Sequence, residues 1–160
     1  MTIEYLHASK FGNGERVAGE FAERMAARGV TVNVRHAKRA KPAALPAADL
    51  YVFSSPGRMG RPIRHMRRFL GKVSLPAGTR YALLTTEMAP RPDPKTGRVP
   101  TEEELAKTQR VRPIMNEILQ AKGLVAVAEE RVFVTDVKGP LEEGWREKVA
   151  GFAAGLPVEG

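Results

Sequence analysis

Apolar positions recur along the chain at two periods, close to two and close to 3.6 residues, and the switching between them predicts an α/β order. Residues 2–8 (TIEYLHA) carry Ile3, Tyr5 and Leu6 in a strand-like run, and residues 9–14 (SKFGNG) read as a turn. From Glu15 to Arg28, the residues Val17, Ala18, Phe21, Ala22 and Met25 fall on one helical arc, with Gly29 as the stop. Residues 30–35 (VTVNVR) alternate as a second strand. A basic, proline-containing connection over 37–48 leads to a third strand, 49–55 (DLYVFSS). Its lack of alternation predicts burial on both faces. Residues 56–60 (PGRMG) are a turn, and Pro62 suits the first position of a helix running to Leu70.

Residues 80–86 (RYALLTT) form a fourth apolar strand. The next stretch, 87–100 (EMAPRPDPKTGRVP), holds four prolines and is a loop of a length that is often functional. Thr101 and Glu104 make a capping box opening a helix toward Lys122, with Val111, Met115, Ile118 and Leu119 inward and Gly123 as stop. Pro113 is expected to kink or split that helix. Leu124–Ala128 and Arg131–Asp136 are strand-like around Glu129-Glu130, as one bulged strand or two pieces. Residues 142–155 form a last helix with Trp145, Val149 and Phe152 inward. The order β-α-β-connection-β-α-β-loop-α-β-α predicts one domain over 1–160, a parallel sheet covered by helices on both faces. Ligands of such sheets bind beyond the carboxyl ends of the strands.

With 42% hydrophobic residues, the chain has enough apolar material for a core, which excludes wholesale disorder. There is no cysteine, so disulfides, thiolate catalysis and cysteine-ligated metals are excluded. The N-terminus lacks a basic leader with an apolar stretch, and no apolar run approaches ~18 residues. The expectation is a soluble, cytoplasmic protein without a membrane span. The formal net charge of +8 favours acidic partners or anionic ligands. At helical spacing Arg61, Arg64, His65 and Arg68 share a face opposite Ile63, Met66 and Leu70. That face reads either as a docking surface for an acidic protein or polyanion, or as solvated cover. No aromatic residues interleave with the arginines, which disfavours nucleic acid. His7, His36 and His65 lie far apart and match no metal spacing, so each reads as structural or exposed. No acid–base pair or nucleophile elbow is visible, so no catalytic side chain is assigned and any chemistry must come from a cofactor.

The loop after the first strand, Ser9-Lys10-Phe11-Gly12-Asn13-Gly14-Glu15, resembles the phosphate loop of the flavodoxin family, Thr/Ser-x-Thr-Gly-x-Thr followed by an acidic residue and a helix. Ser9 and Gly12 match, whereas Phe11 and Gly14 replace two of the three hydroxyls. After the third strand, Ser54-Ser55-Pro56-Gly57-Arg58-Met59-Gly60 stands where that family has its second flavin loop. Its Arg58-Met59-Gly60 resembles the Arg-aromatic-Gly turn of protoporphyrinogen-oxidase-like flavodoxin domains. The third loop, Thr85-Thr86-Glu87-Met88, lacks the tyrosine that often stacks on the flavin. The resemblance implies a three-layer flavodoxin-like fold with a five-stranded parallel sheet in the order 2-1-3-4-5. It also implies FMN bound at residues 9–14, 55–60 and 85–88.

The physics of these loops bears on both outcomes. A turn running into a helix N-terminus offers free amides and the positive end of the dipole to a phosphate, and Lys10 adds a cation. Equally, Gly12-Asn13-Gly14 can be a plain turn capped by Ser9 or Asn13. A dinucleotide fingerprint is incomplete, because Val17 stands where the third glycine belongs and Arg35-His36 where the acidic residue belongs. Backbone groups of 55–60 and 85–88 suit the polar edge of an isoalloxazine, Met59 or Met88 its face, and Arg58 a negative charge near it. The leading expectation is an FMN-binding redox protein, either an electron carrier with a redox partner or an FMN-dependent oxidoreductase acting on a small organic substrate. The alternative is a flavodoxin-like domain without flavin that binds an acidic partner.

Overall fold

The computed structural model describes residues 1–158. Its strands and helices are β1 (Thr2–His7), α1 (Asn13–Ala26), β2 (Thr31–His36), β3 (Leu50–Ser54), β4 (Gly57–Arg58), β5 (Arg61–Pro62), α2 (Arg64–Lys72), β6 (Arg80–Met88), α3 (Glu102–Thr108), α4 (Val111–Gln120), β7 (Val125–Val134) and α5 (Trp145–Gly155). Two 3-10 turns, Ala37–Arg39 and Pro42–Ala44, lie in the basic connection. Five strands form one parallel sheet in the order β2-β1-β3-β6-β7, while β4 and β5 form a separate small hairpin. With the hairpin set aside, this is the expected 2-1-3-4-5 order.

Burial explains the strand patterns. All five residues of β3 are buried, because it lies in the middle of the sheet with helices on both faces. β2 is an edge strand whose residues are all exposed or half-buried, so its apolar alternation is only partly covered and Val34 is exposed. One face of the sheet packs against α1 and α5 through Val17, Phe21, Met25, Val149 and Phe152. The Phe21 ring bridges the layers, 5.4 Å from Tyr5 below and 5.7 Å from Phe152 beside it. The other face packs against α2 and α4 through Met66, Phe69, Leu70, Val111, Met115 and Leu119. Among the described residues, no helix is long and apolar enough to cross a membrane.

Several boundaries differ from the sequence expectation. Pro62 does not begin a helix: it is the last residue of β5, and α2 starts at Arg64. The long helix after the capping box is split, but at Gln109–Arg110 rather than at Pro113. Pro113 sits in the first turn of α4, where its missing N–H would have had no helical partner anyway. The fourth strand runs two residues past Thr86, so Glu87 and Met88 are strand and the loop begins at Ala89. The last helix begins at Trp145, not 142, and α1 begins two residues before Glu15. Residues 125–134 are one strand, and its register shift falls where Tyr81 pairs with Ala126 but Ala82 with Ala128. Val127 is therefore the extra residue, ahead of Glu129-Glu130.

Candidate functional site

Because β1, β3, β6 and β7 are parallel, the segments that follow them leave from one edge of the sheet. Residues 9–14, 55–60 and 89–100 are thus brought together at the carboxyl ends of their strands. Gly12 caps α1 with φ 91° and ψ −11°, a left-handed conformation that turns the chain sharply into the helix. A Cβ on Gly14 would come within 3.2 Å of the Ser9 Cβ, so the loop is closed tightly on itself. The Ser9 hydroxyl accepts from the Gly12 N–H at 3.1 Å. The N–H groups of Asn13, Gly14 and Glu15, the first three of α1, have no partner among the described residues. The bare turn reading thus accounts for one amide, and three remain directed out of the helix end.

The second loop is a hairpin with Met59-Gly60 at its tip, both in the left-handed region (φ 54° and 76°). That is the two-residue turn in which both central residues take positive φ. Ser55 is fully buried and holds the hairpin's base: its Oγ donates to the Pro56 carbonyl and accepts from the Ile63 N–H. The tip is latched to the α3–α4 junction. The Arg110 N–H donates to the Gly60 carbonyl at 2.6 Å, and a Cβ on Gly60 would lie 1.9 Å from the Thr108 carbonyl oxygen. Gly57 is confined as well, since a Cβ there would meet Val111 at 2.8 Å. Arg58 and Arg61 are directly opposite one another across the hairpin, like charges in a position that normally disfavours pairing. Met59 is 93% exposed and lies on nothing.

The expected third loop is instead part of the sheet. Thr86 donates its N–H to the Ser55 carbonyl, and the Met88 carbonyl accepts from Gln109 Nε2 at 2.7 Å. Those backbone groups are committed to the fold. Thr85 and Glu87 are buried on the face covered by α4. Glu87 accepts from Thr85 Oγ1 at 2.5 Å and from Arg112 Nε at 3.0 Å. Arg112 continues to Glu129, and Glu129 to Asn116, whose Oδ1 accepts from the Tyr81 hydroxyl. This chain of polar groups ties β6 to α4 and gives Glu87 a structural partner. The chain beyond Met88 is organised by Asp93, whose Oδ1 accepts from the N–H groups of Lys95 and Thr96, and by an Arg98–Glu104 pair.

Two groupings were invisible in the linear order. The segment after β7 returns to the loop after β1: a Cβ on Gly139 would lie 3.0 Å from Asn13 Oδ1, and Lys138 Nζ stands 5.8 Å from the Phe11 ring, with Lys10 Nζ at 5.5 Å. Two cations therefore flank the loop. The three histidines also converge, with ring centroids 5.0 Å apart for His7 and His36 and 6.4 Å for His36 and His65. Their signal was the register, since β1 and β2 pair in parallel with His7 opposite His36. His7 Nδ1 accepts from the Ser9 N–H, and His36 Nε2 bonds the Ser9 carbonyl at 3.0 Å while its Nδ1 accepts from the Lys38 N–H. Burial and then the neighbouring His36 hold His7 below the ordinary histidine pKa, opposed by Glu15. Burial, Lys38, His36 and Arg68 do the same to His65. Among the described residues, no group of histidine and carboxylate side chains is arranged to hold a metal ion.

No family model matches the chain, and no curated protein matches it. Solved structures do. The chain is similar to flavodoxin 2 of Bacillus cereus, with a TM-score of 0.72 and 20% identity over 97% of each chain. It is also similar to a flavodoxin of Streptococcus pneumoniae, with a TM-score of 0.65 and 17% identity over 98% of this chain and 97% of that one. Against rubredoxin oxygen:oxidoreductase of Desulfovibrio gigas the TM-score is 0.69 at 16% identity, covering 96% of this chain but 34% of that longer chain. The fold is that of the flavodoxins.

Proposed function

We propose that the chain is an FMN-binding redox protein that holds the flavin phosphate on residues 9–14 and the ring beside the 56–60 hairpin. The observation that carries this is the row of three unpartnered amides on Asn13, Gly14 and Glu15, at the positive end of α1 and flanked by Lys10 and Lys138. The residues at this end fit a phosphate: the glycines leave its approach open, and every nearby charge except Glu15 is positive. At the hairpin, Arg58 and Arg61 face each other with no ion pair, a placement relieved by a negative charge such as the anionic edge of a reduced flavin. FMN, when bound, supplies the electron-transfer chemistry; the chain contributes binding, orientation and positive potential. The physiological counterpart is then a redox partner or a small organic substrate.

Titrating purified protein with FMN tests this. Quenching of flavin fluorescence with micromolar or tighter binding, lost when Gly14 is replaced by a bulky residue, is the expected result. Absence of uptake at micromolar FMN removes the reading. A second reading has its own observation: Arg61, Arg64 and Arg68 are exposed and make no ion pair among the described residues. On that reading the chain is a docking module for an acidic protein, and binding to it is salt-sensitive and abolished by Arg64→Glu with Arg68→Glu.

A further inference from the structure

A cleft of about 500 Å³ opens between the ends of β1 and β2, bounded by His7 and Glu15 on one side and by Arg35, His36, Lys38 and Arg39 on the other. It adjoins the phosphate loop through a shared wall, because His7 and His36 both bond the backbone of Ser9. His7 is 5% exposed. Its Nδ1 accepts a hydrogen bond, so the neutral ring carries its proton on Nε2, and Nε2 has no partner among the described residues. His7 lines the cleft, so this N–H is free to donate to a ligand there. Lys38 and Arg39 are exposed and take part in no ion pair among the described residues, whereas Arg35 is turned onto Glu4. The cleft therefore offers a neutral donor at its inner wall and two free cations at its rim.

The space exceeds what one phosphate fills, and it begins where the phosphate of a loop-bound ligand would end. In dinucleotide-binding sheets of the Rossmann type, the residues closing the second strand lie beside the nucleoside, beyond the phosphates. Here those residues are basic. We propose that the preferred cofactor is a flavin dinucleotide, its first phosphate on the amides of residues 13–15 and its second phosphate and nucleoside in the His7–His36 cleft. His7 Nε2–H donates to the second phosphate, Lys38 and Arg39 neutralise it, and the exposed Val34 side chain forms an apolar wall beside the nucleoside. The inference rests on the flavin reading and extends it.

Parallel titrations of the full chain with FMN and with FAD, followed by flavin fluorescence and repeated on Lys38→Glu/Arg39→Glu, decide it. FAD is expected to bind at least about tenfold more tightly than FMN, the effect of one charge-assisted hydrogen bond. The double variant is expected to erase that advantage while FMN affinity changes by less than about twofold. Circular dichroism and a urea melt confirm that the variant, altered at two exposed positions, is folded. Equal affinity for the two flavins, or an FAD advantage that survives in the variant, overturns the dinucleotide inference and leaves the flavin reading standing. Failure of both flavins to bind removes the flavin reading and the inference with it.

Discussion

Replacing Gly60 by alanine perturbs the latch that fixes the hairpin to the helix layer. Gly60 has φ 76°, where a Cβ meets its own backbone at a cost of about 1 kcal/mol. The larger effect is external. The new Cβ would lie 1.9 Å from the Thr108 carbonyl oxygen and 3.4 Å from the Gln109 Cα, so the hairpin tip must retreat by more than an ångström. That retreat breaks the 2.6 Å bond from the Arg110 N–H to the Gly60 carbonyl, worth about 1 kcal/mol, and loosens the contact of Gly57 with Val111. The total loss is about 3 kcal/mol. Gly78→Ala is the control: its φ is 89°, but a Cβ there meets nothing within 4 Å, so only the strain of about 1 kcal/mol applies. Urea unfolding of the two variants and the parent, with comparable m-values, measures the difference. Equal losses at positions 60 and 78 would refute the latch.

Met59 is the opposite case in the same turn: exposed, at φ 54°, and free of contacts. Met59→Asn is therefore expected to stabilise by about 0.5–1 kcal/mol, and a loss on the same urea assay would count against a strained tip. Arg112→Ala strips a nearly fully buried Glu87 of its cation and is expected to cost about 3 kcal/mol, most of it recovered by the double change Glu87→Leu/Arg112→Leu; a double variant as unstable as the single one contradicts this. Glu104, hydrogen-bonded first by Arg98 and then by the Thr101 N–H, has its carboxyl lowered from 4.5 to about 2. Its support of α3 is thus fully present above pH 4.5 and lost as the pH falls through about 2. NMR titration of the carboxyl should give that midpoint, and Arg98→Ala should raise it; an unmoved midpoint in the variant rejects the assigned cause.

Much of the fold was legible in the residue order because its signals are local. The period of Val17, Phe21 and Met25, the capping box of Thr101 and Glu104, and the unbroken apolar run of 50–54 each report the environment of a few neighbouring residues. The turn after β1 was legible for the same reason, as glycines between a strand and a helix. The boundaries that moved are those decided by contacts from elsewhere. Pro62 is drawn into a hairpin by the α3–α4 junction, and β6 runs on to Met88 because β7 pairs with it along its whole length.

What the sequence by itself determined, then, is the succession of strands and helices, the core-facing side of each, and the glycine-rich turn that leads into the first helix. Only the tertiary structure decided which side chains share a site. Parallel pairing at a register of 29 residues sets His7 beside His36, and the return of the chain after β7 sets Lys138 beside Phe11. Periodicity describes one element at a time, whereas a cleft is made by the relative placement of several, and that placement follows from packing two apolar layers onto one twisted sheet.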